Sequence, residues 1–119
     1  MANEIQINAS LTISQNGLQV TGQLQGLQLN LNGPMLGNEQ SIGTENQQLV
    51  LTGVTAPCIL FVKNLDTVNY VEISLDNAQA DVISKLQPGQ ACLVFLETAT
   101  VYAKAHTGAV NVAIAAGSL

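Results

Sequence analysis

"IQINASLTISQNGLQVTGQL", Ile5 to Leu24, carries the signal from which the fold class follows. Ile5, Ile7, Ala9, Leu11 and Ile13 are apolar and the residues between them are polar. That period of two gives a strand one apolar face and one polar face. Asn16-Gly17 then supplies the pair most typical of a type I′ hairpin turn. Alternation restarts at Leu18 and Val20, so residues 4–15 and 18–24 are expected to pair antiparallel. Gly22 and Gly26 interrupt the second strand, and glycine inside a strand marks a bulge or bend. Leu27, Leu29 and Leu31 resume the alternation beyond them.

Outward from this hairpin the same grammar repeats. "NGPMLGNEQ" reads as a Gly- and Pro-bearing loop. "QQLVLTGV" (47–54), "CILFVK" (58–63), "NYVEISL" (69–75), "ADVISKL" (80–86), "ACLVFL" (91–96), "TVYAKA" (100–105) and "AVNVAIA" (109–115) read as strands. Gln87-Pro88-Gly89-Gln90 has Pro second and Gly third, the chemistry of a type II turn. About nine short strands with no sustained helical period predict an all-β chain. We expect a single antiparallel β-sandwich, jelly-roll-like, with an immunoglobulin-like sandwich as the alternative. Its core should draw on Ile5, Ile7, Leu11, Ile13, Cys58, Leu60, Val62, Val71, Ile73, Leu93 and Phe95. The 119 residues suit one domain, within which residues 1–33 read as an arm or subunit-contact region.

Only 9% of the residues are charged, against about a quarter in an average soluble protein. Twelve glutamines and eleven asparagines replace them, dispersed among apolar residues, so a disordered polar tract is a poor account. Lys63, Lys85 and Lys104 are isolated and the net charge is −5. Phosphate neutralisation needs clustered cations, so neither direct nucleic-acid binding nor an anionic membrane surface is expected. "MANEIQINAS" lacks the basic and apolar regions of a secretory signal, so synthesis and folding in a cytoplasm are expected. Cys58 and Cys92 sit in apolar runs and read as buried thiols, with a disulfide between adjacent strands as the other reading.

Catalytic patterns are not found. His106 is the single histidine, in the turn "AHTG", and one histidine cannot assemble the several ligands of a cupin-type metal site. Asp66, Asp76 and Asp81 lie near turns, where aspartate caps backbone groups; a calcium site at Asp76, Asn77 and Asp81 would have too few oxygens. No enzymatic activity, cofactor or metal is therefore expected. A glycan-binding module is the expectation of another class, weakened by the absence of Trp.

"FVKNLDTVNYVEISL", "KLQPGQACLVFL" and "VYAKAHTGAVNVAIA", spanning Phe61 to about Ala115, resemble a pattern in small tailed-bacteriophage virion structural proteins. There a "VKNLD…NYV-I" hairpin leads to a "KL-PGE-CL" turn and a closing "YAKA…V-V" hairpin; Gln90 stands here in place of the glutamate. The resemblance implies a virion location and a role in capsid decoration or cementing through the major capsid protein. A small tail or neck component is the alternative. It also implies self-association, for which shell geometry suggests a homotrimer. The uncharged alternation of residues 18–33 nominates Gln19, Gln23, Gln25, Gln28 and Asn30 as interface residues. An amide both donates and accepts, and burying it costs far less than burying a charge.

Overall fold

The computed structural model describes residues 4–119; Met1–Asn3, at the head of the expected arm, lie outside the described residues. Ten strands and no helix are present among them. The chain divides into two compact units, the first ending at Asn32 and the second covering Gly33–Leu119.

The first unit is one long hairpin of β1 (Ile5–Gln15) and β2 (Leu18–Leu29), a sheet of two strands. Asn16 (φ +52°) and Gly17 (φ +80°) both take positive φ, as a type I′ turn demands. The pairing runs from Gln15 opposite Leu18 to Ala9 opposite Leu24, then shifts so that Ile7 faces Leu27. The shift explains a feature of the sequence. Leu18, Val20 and Leu24 occupy even positions and Leu27 and Leu29 odd ones, so one extra residue must be absorbed to keep them on one face. Gln25 and Gly26 absorb it opposite Asn8: Gly26 takes φ +69°, as in a glycine-led bulge, and its N–H donates to Asn8 Oδ1 at 3.0 Å. Gly22, the other glycine expected to bend the strand, lies in regular pairing opposite Leu11.

The second unit is the expected sandwich. One sheet orders β3 (Met35–Ile42), β10 (Val110–Ser118), β5 (Cys58–Asn64) and β8 (Ala91–Leu96). The other orders β4 (Gln47–Gln48), β9 (Tyr102–Ala105), β6 (Val71–Ser74) and β7 (Val82–Leu86). All pairings are antiparallel and nested: β3 with β10, β4 with β9, β5 with β8, β6 with β7. Cross-links β10–β5 and β9–β6 complete the two sheets. A long double-stranded ribbon rolled on itself produces this order, which is a jelly roll and not an immunoglobulin-like arrangement. Leu60, Val62, Val71, Ile73, Val101 and Val112 are wholly buried between the sheets, each worth about 1.5–3 kcal/mol of burial.

Several expectations need correction. "NGPMLGNEQ" is not all loop, because Met35–Ile42 forms β3. This edge strand pairs only with β10, and such a position tolerates the polar residues that made it read as loop. The strand expected over 47–54 shrinks to Gln47–Gln48, since Gly53 turns at φ +84° and Val54 N–H closes a turn onto the Leu51 carbonyl. Leu93 and Phe95 are on the outer face, opposite Phe61 and Ile59, with Phe95 51% exposed. In the continuous apolar run "ACLVFL" the register alone decides which alternate set faces in, and here it is Cys92, Val94 and Leu96. Leu11 and Ile13 are exposed rather than core, and Ile5 is half-buried, whereas Ile7 is buried as expected.

Both cysteines are free. Cys58 pairs with Leu96 and Cys92 with Val62, four residues along the ladder and so about 13 Å apart, too far for a disulfide. Burial pushes both thiols upward in pKa, which makes them poor nucleophiles.

Candidate interaction surface

Cross-strand pairing sorts the hairpin into two faces. One carries Gln6 opposite Gln28, Ser10 opposite Gln23, Thr12 opposite Thr21 and Ser14 opposite Gln19. These rows hold only hydroxyls and amides. The other carries Ala9 opposite Leu24, Leu11 opposite Gly22, Ile13 opposite Val20 and Gln15 opposite Leu18. Exposure on this apolar face is 63% for Leu11, 57% for Val20 and 70% for Leu18. No residue from Ile5 to Asn38 is charged.

Of the five nominated residues, the structure brings Gln19, Gln23 and Gln28 onto the amide face and leaves all of them exposed. Gln25 belongs to the bulge and Asn30 follows the end of β2; both are exposed. Sequence reasoning missed the apolar face as a surface, because alternating leucine and isoleucine normally signal a buried side. The available signal was length: strands of 11 and 12 residues joined by two residues and free of charge.

Amides elsewhere are structural. Gln40 accepts from Val50 N–H at 2.9 Å and donates to the Gln48 carbonyl at 3.2 Å, tying β3 to the opposite sheet's first segment. Gln47 accepts from Gly43 N–H at 2.8 Å and donates to the Ser41 carbonyl at 3.1 Å. Asn64 is fully buried, donating to the carbonyls of Asn69 (3.0 Å) and Leu86 (2.9 Å) and accepting from Asp66 N–H (2.8 Å).

Two of the three carboxylates near turns, Asp66 and Asp76, are occupied by local hydrogen bonds, and Asp81 is exposed. Asp66 accepts from the N–H groups of Asn69 and Val68 at 2.6 and 3.0 Å, and these bonds lower its pKa. Asp76 accepts from Ser74 Oγ–H at 2.6 Å and from the N–H groups of Asp81 and Ala80 at 2.8 and 3.0 Å, which lowers its pKa too. Among the described residues no three His, Cys, Asp or Glu side chains are grouped to hold a metal ion.

One further cluster joins three strands. Tyr70 continues β6 and its ring stacks on His106 at 4.8 Å between centroids, 14° from parallel; Lys85 Nζ lies 4.1 Å from the ring centroid. His106 follows β9 and Lys85 lies in β7, the two strands flanking β6. His106 and Lys85 of the same chain thus both pack against the Tyr70 ring. Three open hollows are lined only by neutral side chains, two of them on the hairpin, around Ile13–Val20 and Leu11–Leu24. No family model, curated protein or solved structure matches the chain.

Proposed function

We propose that the chain is a non-enzymatic structural protein of a tailed-bacteriophage virion, a decoration or cement protein that binds the major capsid protein as a homotrimer. The observation that carries this reading is the charge-free hairpin, whose amide face is exposed along its length and whose apolar face is exposed from the Ala9–Leu24 pair to the turn. A long uncharged strand pair left open in solution invites uncontrolled pairing, so a defined assembly is its natural setting. Two facts support the reading. The residues that carry the resemblance are folding residues of the jelly roll: Asn64 and Asp66 build one turn, Pro88-Gly89 another. Asp66 and Asp76 are committed to local hydrogen bonds, and the hairpin offers shape and amide chemistry as the means of attachment.

The amide face meets the capsid in this reading. Gln and Asn rows lose little when desolvated against another protein's backbone, and repetition over symmetric copies supplies avidity without a strong single anchor. Quantitative mass spectrometry of purified virions tests the role, with hundreds of copies per particle expected. A dozen or fewer would assign the protein to the tail or neck, and absence from particles, with binding on a glycan array, would overturn the reading. Paired Gln23→Glu and Gln28→Glu substitutions are expected to weaken retention on capsids at least tenfold while the fold persists.

A further inference from the structure

Gly22 has no reason to be glycine within a single protomer. It sits in regular strand pairing opposite Leu11, its φ is not positive, and a Cβ there would meet nothing within 4 Å. Valine or threonine would form a better strand. A second small residue, Ala9, lies one row away opposite Leu24. The apolar face therefore sets a large residue against a small one in two successive rows, Leu24 with Ala9 and Leu11 with Gly22, before Val20 with Ile13. Narrow barrels fill their interiors with such large and small alternation, whereas a flat sheet face has no need of it.

The edges give the second observation. Among the described residues no third strand pairs with the hairpin, so the outer edges of β1 and β2 are both open. Two copies stacked face to face would cover the apolar side and leave four such edges. Cyclic copies arranged around an axis place β2 of one against β1 of the next in the antiparallel sense, and only closure removes every edge. The third observation concerns charge. Seven of the eight acidic residues and all three lysines lie beyond Asn38, so the hairpin is where copies of a chain of net charge −5 can meet without repulsion. A charged partner would find nothing there to pair with.

We infer that the hairpins of three copies close into a six-stranded barrel, with Leu11, Ile13, Leu18, Val20 and Leu24 inside and the amide rows outside. The occupant of the apolar face is the same face of two further copies. This rests on the self-association part of the proposed function and deepens it, because it names the seam and frees the amide face for another protein. Gly22 is small because three copies of Leu11 share its level near the axis.

Sedimentation equilibrium and light scattering on the full chain test the inference. The wild type is expected at three times 12.4 kDa. Gly22→Val, whose Cβ meets nothing within 4 Å in a lone protomer, and Val20→Glu should both fall to the single-chain mass, while the jelly roll keeps its cooperative melting. Val20→Thr, of the same shape and safe for folding, should raise the trimer's dissociation concentration at least tenfold. Gln23→Glu on the amide face and Phe95→Glu on the jelly roll should remain trimeric. A monomeric wild type, a trimer indifferent to Gly22→Val, or a trimer broken by Phe95→Glu overturns the inference; the last would put the copies in contact through the sandwich instead. Virion copy number is read independently. A trimer with this seam that is absent from particles would refute the proposed role alone, and a virion protein that is monomeric in solution would refute the seam and the homotrimer while leaving the virion role.

Discussion

Asn64 is the residue on which two turns depend. Its side chain is wholly buried and makes three hydrogen bonds, while its backbone N–H donates to the Gln90 carbonyl at 2.9 Å and its carbonyl accepts from Gly89 N–H at 3.1 Å. Asn64→Ala would leave the Asn69 and Leu86 carbonyls and the Asp66 amide without this partner. Orphaned buried polar groups are among the few single changes of large effect, so a loss of about 2–4 kcal/mol is expected in urea unfolding. Asp76 makes a pH-dependent contribution of a different kind. Its folded pKa is lowered, first by the Ser74 hydroxyl and then by the Asp81 amide. A depressed carboxylate stabilises the fold above its unfolded pKa of about 3.9 and loses that contribution as pH falls through the lower folded value. Asp76→Asn is therefore expected to melt at a lower temperature than wild type at pH 7, with the gap closing at pH below about 3. Equal separation of the two melting curves at both pH values would refute this. Sequence alone placed Asp66, Asp76 and Asp81 near turns. It could not show that Asn64 is buried, because a polar letter in a motif carries no depth.

The hairpin element shows where pattern reading succeeds and where it stops. Alternation and Asn16-Gly17 were enough to define both strands and their turn, since the φ > 0 requirement at two adjacent positions is a local demand. Glycine as a mark of a bulge or bend held for Gly26 and failed for Gly22, which pairs regularly. What alternation could not tell was whether the apolar face is covered, because covering is a property of neighbours. The same limit applies to "ACLVFL" and "CILFVK": with every position apolar, which set faces inward is decided by pairing across the sheet, as Cys58 with Leu96 and Leu60 with Val94 decide it here. The bulge itself can be tested. Alanine at Gly26 would have to hold φ +69°, a left-handed conformation costing about 1–2 kcal/mol for a residue with a Cβ. Amide exchange at Ile5–Ile7 and Leu27–Leu29 should quicken roughly tenfold, while amides of β5 and β10 keep their protection. Unchanged exchange on both sides of the bulge would show that the extra residue is accommodated without the glycine.

For the whole molecule, the nested pairing makes the jelly roll self-sufficient in a way the hairpin is not. Its first and last strands, β3 and β10, pair along eight positions, and the Ser118 hydroxyl donates to the Pro34 carbonyl at 2.9 Å and accepts from Thr55 N–H at 3.0 Å. Gly33 lies so close to this lock that a Cβ there would come within 2.8 Å of Ser118 Cβ. The wholly buried core residues all belong to Gly33–Leu119. A two-stranded hairpin, by contrast, is marginal in water unless something covers it. Dividing the chain between Asn32 and Gly33 should therefore give unequal halves. Residues 33–119 are expected to be monomeric and to melt cooperatively, within about 5 °C of the full chain, the scale of a 1 kcal/mol change for a domain of this size. Residues 1–32 should lack β structure at micromolar concentration and acquire it as concentration rises, because only association supplies the missing cover and mass action then governs folding. If the larger half is unfolded, the nested sheets do not carry their own stability. If the smaller half is structured at every concentration, its apolar face is satisfied within one copy and the reason for a closed assembly disappears.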